Sequence, residues 1–441
     1  MVRRREIFSW SLYDFANSAF TTLIVTFVFS RYFAEVVAPD PLRGAVLWTR
    51  AVNVSAVIVA LIMPVLGAVA DYSGRKKLFL GLITVESVAF TALLFLVGPG
   101  QAGLAAVLFI AANVGFEGAQ VFYNGFLPEL STRETIGRIS GNAWGLGYVG
   151  GLLALLVGLW MVRGGLPDAG HLDVRATALL VAGWWAVFSI PTFLFVRERA
   201  PRRHATLGGY VTIGFGRVGE TLQHLRQFRE AAKLLVARLI YNDGLTTVFA
   251  MAAIYVSAVF GMTMADVIVM GLVVNVAAGL GAAGLGFLDD FIGGKRTILV
   301  TLVVLAGATL LGSTAPGRTA FWVAAVLIGL MVGPAQSASR SLLARFVPES
   351  KHAEFFGFYA FSGKLSSIAG PFVYGLLLQI TGSHRIAMGS ILAFFVVGFL
   401  ILLTVDEAGG IAAAQSYVAE GAGTASGEDA ETRAEQPGTE A

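Results

Sequence analysis

Gly67-Ala68-Val69-Ala70-Asp71-Tyr72-Ser73-Gly74-Arg75-Lys76-Lys77 joins two long apolar runs, and its pattern returns 219 residues later as Gly286-Phe287-Leu288-Asp289-Asp290-Phe291-Ile292-Gly293-Gly294-Lys295-Arg296. Glycine, aspartate, glycine and a base recur in the same order and spacing. A second pair of anchors lies at almost the same distance: Pro128-Glu129 against Pro348-Glu349, offset by 220, followed by Gly137 against Gly357 and Gly150 against Gly370. Two independent anchors at nearly one offset describe a duplicated unit, and in a membrane protein that is the layout of a transporter built from two related halves.

The composition places the chain in a bilayer. Of 441 residues, 56% are apolar and 13% charged, against roughly 45–50% and about 25% in an average soluble chain. So few charges cannot cover a water-facing surface of this size. Glycine, at 53 residues, suits close helix packing in lipid. With no cysteine there is no thiolate metal site and no catalytic thiol, and the five histidines show no metal-ligand spacing. No cofactor is expected. The net charge of +3 comes from basic residues set between apolar runs, which reports membrane topology rather than affinity for nucleic acid.

Charges bound twelve apolar runs: Trp10–Phe33, Trp48–Ala70, Leu78–Val97, Gly103–Phe122, Ile139–Trp160, Ala176–Phe195, Leu234–Val256, Val267–Leu288, Thr297–Ser313, Ala320–Gln336, Phe355–Leu378 and Ile386–Val405. They are numbered here as spans one to twelve. The first is interrupted by Tyr13, Asp14, Asn17 and Ser18 and reads as a retained span rather than a cleaved signal peptide. With the N-terminus in the cytoplasm, 22 Lys and Arg fall inside and 7 outside; this bias orients both termini to the cytoplasm of a bacterial-type inner membrane. The expected organisation is a six-helix bundle over 1–196, a basic linker over 197–233 with a helical stretch from Val218 to Lys233, a second bundle over 234–405, and a disordered tail over 406–441. The fold class is an all-α membrane protein of two pseudo-symmetric six-helix bundles, expected to work in the bilayer as a monomer.

The repeated loop has a mechanical logic. Gly67 lets span two approach another helix closely, and Gly74 permits a tight turn. Asp71 can accept backbone N–H bonds from a neighbouring helix N-terminus while facing Arg75 and Lys76, a clasp made in one conformation and broken in another. An ordinary basic loop with a turn glycine uses the same residues without that role, but the repetition favours the clasp. In the second copy Gly286, Asp290, Gly293 and Lys295 correspond, with Gly294 where the first has Arg75, which predicts a weaker clasp. Span five carries Gly141/Gly145 and Gly147/Gly151, two pairs suited to helix contact. Its GxGxxG match lies inside a lipid-length helix and is not a dinucleotide site.

Charges inside the spans carry the chemistry, because each costs several kcal/mol unless paired or hydrated. They are Asp14, Glu86, Glu117, Arg238, Asp243 and Lys364, with Tyr13, Asn17, Gln120, Tyr123, Asn124, Tyr241, Asn242 and Gln336 around them. Asp14 and Asn17 share a helix face, as do Glu117 and Gln120. The carboxylates are either functional or structural partners of Arg238 or Lys364.

The glycine–aspartate–glycine–base loops resemble the signature of the major facilitator superfamily, and the likeness spans nearly all of 10–405. Ser9-Trp10-Ser11-Leu12-Tyr13-Asp14-Phe15-Ala16-Asn17-Ser18-Ala19-Phe20, Phe122-Tyr123-Asn124, Leu127-Pro128-Glu129 and Tyr241-Asn242-Asp243-Gly244 resemble the vacuolar amino-acid effluxers and their bacterial relatives, the "unknown major facilitator" group. The resemblance implies that spans one, four, seven and ten line a cavity, that two, five, eight and eleven form the gating interface, and that three, six, nine and twelve flank it. Asp14, Glu117 and Asp243 then fall on cavity helices, whereas Glu86 lies on an outer one. Span five lacks the proline of the superfamily's antiporter signature.

The expected function is secondary active transport of a small polar or amphipathic solute, most readily amino-acid-like, by alternating access and with proton coupling through a buried carboxylate. Asp243 is the first candidate for the mobile proton or for a substrate amine, and Asp14 the second. A drug or metabolite exporter is the alternative within transport, and a non-transporting receptor or scaffold the alternative outside it. No nucleophile–base or metal constellation supports an enzyme.

Overall fold

The computed structural model describes residues 4–417 apart from 168, 204, 224 and 225, and among the described residues there is no strand. Eleven helical segments are long and apolar enough to cross a membrane, from Arg4–Val37 through Asp266–Ile292 to His384–Leu403. The remaining span, eleven, is two shorter helices, His352–Leu365 and Ala369–Thr381, so the expected continuous run Phe355–Leu378 is corrected. Asp243 of span seven explains the break: its carboxylate accepts the backbone N–H groups of Ala369 at 3.0 Å and Gly370 at 2.9 Å. These are donors that a continuous helix would have used internally.

Three other boundaries move. Span ten runs Arg318–Phe346, a full ten residues beyond the expected end at Gln336. Ser337, Ser339 and Ser341 interrupt the apolar run but not the helix, because serine hydroxyls can bond back to the preceding turn, as Ser341 does to the Ala338 carbonyl at 3.0 Å. The linker helix is Leu207–Gln223, and span seven begins at Arg229, so the expected helix over Val218–Lys233 is divided between them. Residues 407–417 are helical rather than disordered. Glu407 there caps span nine, accepting N–H bonds from Gly294 at 3.0 Å and Lys295 at 3.1 Å. The rest of the tail, 418–441, lies outside the described residues.

Glycine sets how the halves meet. On span five, Gly141 lies against Ala282 and Gly286 of span eight, while Gly147, Gly150 and Gly151 lie against Asp14, Phe15 and Ser18 of span one. One helix thus uses its two small-residue pairs on two different neighbours. The symmetry-related crossing places Gly67 of span two on the Ala353 backbone of span eleven, and Gly357 of span eleven on Pro64. Spans two and eleven, and five and eight, therefore form the two crossings between halves. Gly74 and Gly293 both turn with positive φ, at 61° and 93°, which only glycine adopts without strain.

A Cβ at Gly150 would run into the Phe15 backbone, whereas nothing lies within 4 Å of one built at Gly183. Gly150→Leu should cost ~3 kcal/mol through overpacking and lower the thermal unfolding temperature of the purified protein. Gly183→Leu should leave it unchanged.

Candidate functional site

Between the halves lies a cavity of about 470 Å³ lined by Asp14, Glu117, Gln120, Asn124, Arg238, Asn242, Gln336, Arg340 and Lys364. It adjoins a second space of about 630 Å³, with which it shares Asp14, Gln120, Trp144 and Tyr148, and which extends past Asn17 to Arg31, Glu35 and His171. Arg31 and Glu35 are exposed and paired with each other at 2.9 Å. The opening thus points away from the helix ends that carry the repeated loops.

Two ion pairs cross the cavity from one half to the other. Arg340 of span ten meets Asp14 of span one at 3.2 Å, with 2% and 9% of the side chains exposed. Lys364 of span eleven bonds Glu117 of span four. The first pair is embedded in a network. Tyr123 donates to Asp14 at 2.9 Å. Arg340 also donates to Asn124 Oδ1 at 3.2 Å, to Ser140 Oγ at 2.9 Å and to the Ser140 carbonyl at 2.7 Å. Trp10, Tyr123 and Trp144 present their rings to its guanidinium within 5.3–5.8 Å. Each nitrogen of the guanidinium has an acceptor, as a buried ion pair requires of its donors.

Sequence reasoning missed Arg340, because the apolar run stopped at Gln336 and assigned the arginine to a cytoplasmic loop. The signal was present: Gln336 and Arg340 are four residues apart and share one helix face. Trp144 and Tyr148 were missed as well. They sit among the glycines of span five and read as packing.

The remaining candidates separate into two groups. Asn17, Gln120, Asn124, Asn242 and Gln336 line the cavity system with Asp14 and Glu117. Tyr123 stands behind it as the donor to Asp14. Tyr241 and Asp243 are buried and are not among its lining residues; Tyr241 bonds Ser339, and Asp243 is occupied by the helix break. Arg238 has no carboxylate partner among the described residues. Its Nη1 donates to the Tyr359 carbonyl at 3.0 Å and to Ser362 Oγ at 2.9 Å.

At the other end of the bundle the repeated loops tie the halves together. Asp71 accepts the backbone N–H of Glu354, at the start of span eleven, at 2.9 Å. It pairs with Lys76 at 3.2 Å, and Lys76 pairs with Glu129 at 3.2 Å. The base that meets Asp71 is therefore Lys76 and not Arg75. In the second copy Asp290 accepts two N–H bonds at the start of span five, from Gly137 at 2.6 Å and Arg138 at 3.0 Å. With Gly294 in place of the first copy's Arg75, Arg345 from span ten supplies the base on this side, reaching Asp289 at 2.8 Å and Asp290 at 3.7 Å. Lys295 does not join this clasp and instead donates to the Leu403 and Val405 carbonyls at 3.0 and 2.5 Å.

Comparison with known proteins agrees with this architecture. The family model described as "Vacuole effluxer Atg22 like" matches residues 43–415. An uncharacterized MFS-type transporter of Bacillus subtilis, YxiO, is 31% identical over 90% of this chain and 94% of its own length. Autophagy-related protein 22 of Yarrowia lipolytica is 26% identical over 68% of this chain and 55% of its own length. Among solved structures, the human organic anion transporter MFSD10 superposes with a TM-score of 0.72 at 14% identity, covering 90% of this chain and 99% of its own. The fucose transporter FucP of E. coli, in its outward conformation, also gives 0.72, at 13% identity, covering 91% and 100%. These two likenesses concern the fold. With the family model covering most of its length, the chain belongs to the Atg22-like vacuole effluxer family of major facilitator transporters.

Proposed function

We propose that the protein moves a small, polar, amino-acid-like solute across the membrane by alternating access, with the substrate held in the cavity between spans one, four, seven, ten and eleven. The observation that carries this reading is the distribution of ties between the halves. One end of the bundle is closed by Asp71 on the start of span eleven and Asp290 on the start of span five. The other end opens into the cavity, which the ion pairs Asp14–Arg340 and Glu117–Lys364 cross from one half to the other. Rocking one half against the other breaks one set of ties as it makes another. The Lys and Arg bias supports a plasma-membrane protein with the clasps and both termini on the cytoplasmic side. Removing Arg340 from that count leaves 21 against 7, so the orientation stands.

The geometry also favours particular carboxylates for proton coupling. Protonating Asp14 or Glu117 would release a cation on the opposite half and so change the balance of states. Asp243 holds two backbone donors inside its own half, which gives it a structural task. Glu117→Gln and Asp14→Asn should therefore lose gradient-driven accumulation in proteoliposomes while retaining exchange at zero gradient. Asp243→Asn should instead lower thermal stability and leave coupling in whatever protein folds. Gradient-driven accumulation at the wild-type rate in both Glu117→Gln and Asp14→Asn would remove the coupling role.

The clasp makes a separate prediction. Asp71→Asn removes a charge-assisted bond worth about 1.5–3 kcal/mol, enough to shift a two-state balance by roughly tenfold or more. Turnover should fall by about that factor with substrate affinity little changed. A cysteine placed on the cavity side should become less accessible to alkylation as the closed-clasp state loses population. Full transport with an unchanged labelling pattern would remove the clasp from the mechanism.

A further inference from the structure

Among the described residues, the lysine, arginine, aspartate and glutamate side chains lining the two adjoining spaces pair off with one exception. Arg31 pairs with Glu35, Arg340 with Asp14 and Lys364 with Glu117. Arg238 is left without a carboxylate among the described residues, although only 6% of it is exposed. Its hydrogen bonds are to neutral groups. Nη1 is held by Tyr359 and Ser362, Nη2 donates to Gln336 Oε1 over a long 3.4 Å, and Nε has no partner. The Tyr359 ring lies under the guanidinium at 3.5 Å, fixing its plane.

An unpaired cation at this depth is costly, and a bundle that pairs its other cavity charges does not carry one without use. Protonation of Asp14 or Glu117 would enlarge the positive excess rather than remove it. The missing charge must come from the cavity's occupant. We propose that Arg238 is the substrate-binding residue and that the transported solute carries a net charge of −1, with its carboxylate on the Arg238 guanidinium: an acidic amino acid or a small monocarboxylate. This rests on the transport reading above and sharpens it. A neutral zwitterion would set a carboxylate on Arg238 but leave the cavity's positive excess unchanged, because its ammonium cancels the charge it brings.

The surroundings give the bound carboxylate a route to the hinge. Gln336, the weakest of Arg238's partners, donates to Asn242 Oδ1 at 2.5 Å, and Asn242 donates to Ser366 Oγ at 2.5 Å. Ser366 lies in the break between the two helices of span eleven. A carboxylate that takes over the guanidinium frees Gln336 and loosens this chain.

The test uses the full-length protein in proteoliposomes offered an equimolar mixture of glutamate, aspartate, lactate, leucine, glutamine, lysine and xylose, with uptake quantified by mass spectrometry. Wild type should accumulate one or more of the three net anions and exclude the other four. Arg238→Gln should lower that uptake by at least ~30-fold, the range for removing one partner of a buried charged pair. Arg238→Lys should retain it with KM raised about tenfold, because an ammonium keeps the charge but loses the planar fork.

Thermal unfolding without substrate supplies the structural control. Arg238→Gln should lose much less stability than Arg340→Gln, since it gives up hydrogen bonds to neutral groups but breaks no ion pair. An Arg238→Gln protein destabilised like Arg340→Gln would make Arg238 structural and overturn the proposal. Uptake of leucine, glutamine, lysine or xylose in preference to the anions would overturn it while leaving the transport reading intact. No uptake of any solute by stable wild-type protein would overturn both.

Discussion

Arg340 reaches Asp14 across the boundary between the two six-span halves, and most of the site is arranged around that contact. A guanidinium buried in a membrane bundle needs a carboxylate and acceptors for its remaining donors. The carboxylate comes from span one, while Asn124 and Ser140 on spans four and five accept further bonds. Spans one, four, five and ten are thereby held in one register. Close approach of span five to span one is what makes this reachable, and it depends on glycines that let the two backbones nearly touch. Packing and charge pairing are one constraint here: a side chain at Gly147 or Gly150 would push Asp14 away from Arg340.

The two ends of the bundle are tied by different physics. At the clasp end, carboxylates of one half accept backbone N–H groups at helix starts of the other, where the orphan donors and the helix dipole favour an anion. In the cavity the ties are side chain to side chain. Both kinds of tie contain a carboxylate; the clasps set it against backbone N–H groups, and the cavity pairs set it against a cation on the opposite half.

The internal duplication does not make the halves equivalent. Asp14 and Asp243 occupy the leading helices of their halves, each near a tyrosine and an asparagine, yet one crosses to the other half and the other stays within its own. Asp243 spends its charge on the start of Ala369–Thr381, which divides span eleven and leaves buried Ser366 in the break as the acceptor of Asn242. The C-terminal half thus carries the broken helix and the cation that has no carboxylate partner among the described residues. The N-terminal half supplies both carboxylates of the cross-cavity pairs.

Much was legible from the residues in order. Twelve spans, the duplication and the repeated aspartate loops follow from hydropathy and spacing, because lipid forces backbone polar groups into helices and leaves length and charge as the readable variables. The polar faces holding Asp14, Glu117 and Gln336 could be listed for the same reason. Which charge meets which could not, since partners such as Asp14 and Arg340 lie 326 residues apart and pairing depends on how whole helices cross. Span ten hid its arginine behind serines that end an apolar run without ending a helix. Span eleven hid its break because the residue that makes it, Asp243, belongs to another helix. The sequence by itself determined that a bundle would form and that it would carry charges at its centre. Only the tertiary structure decided that one of those charges, Arg238, meets no carboxylate among the described residues, because a charge balance exists only once the helices have been brought face to face.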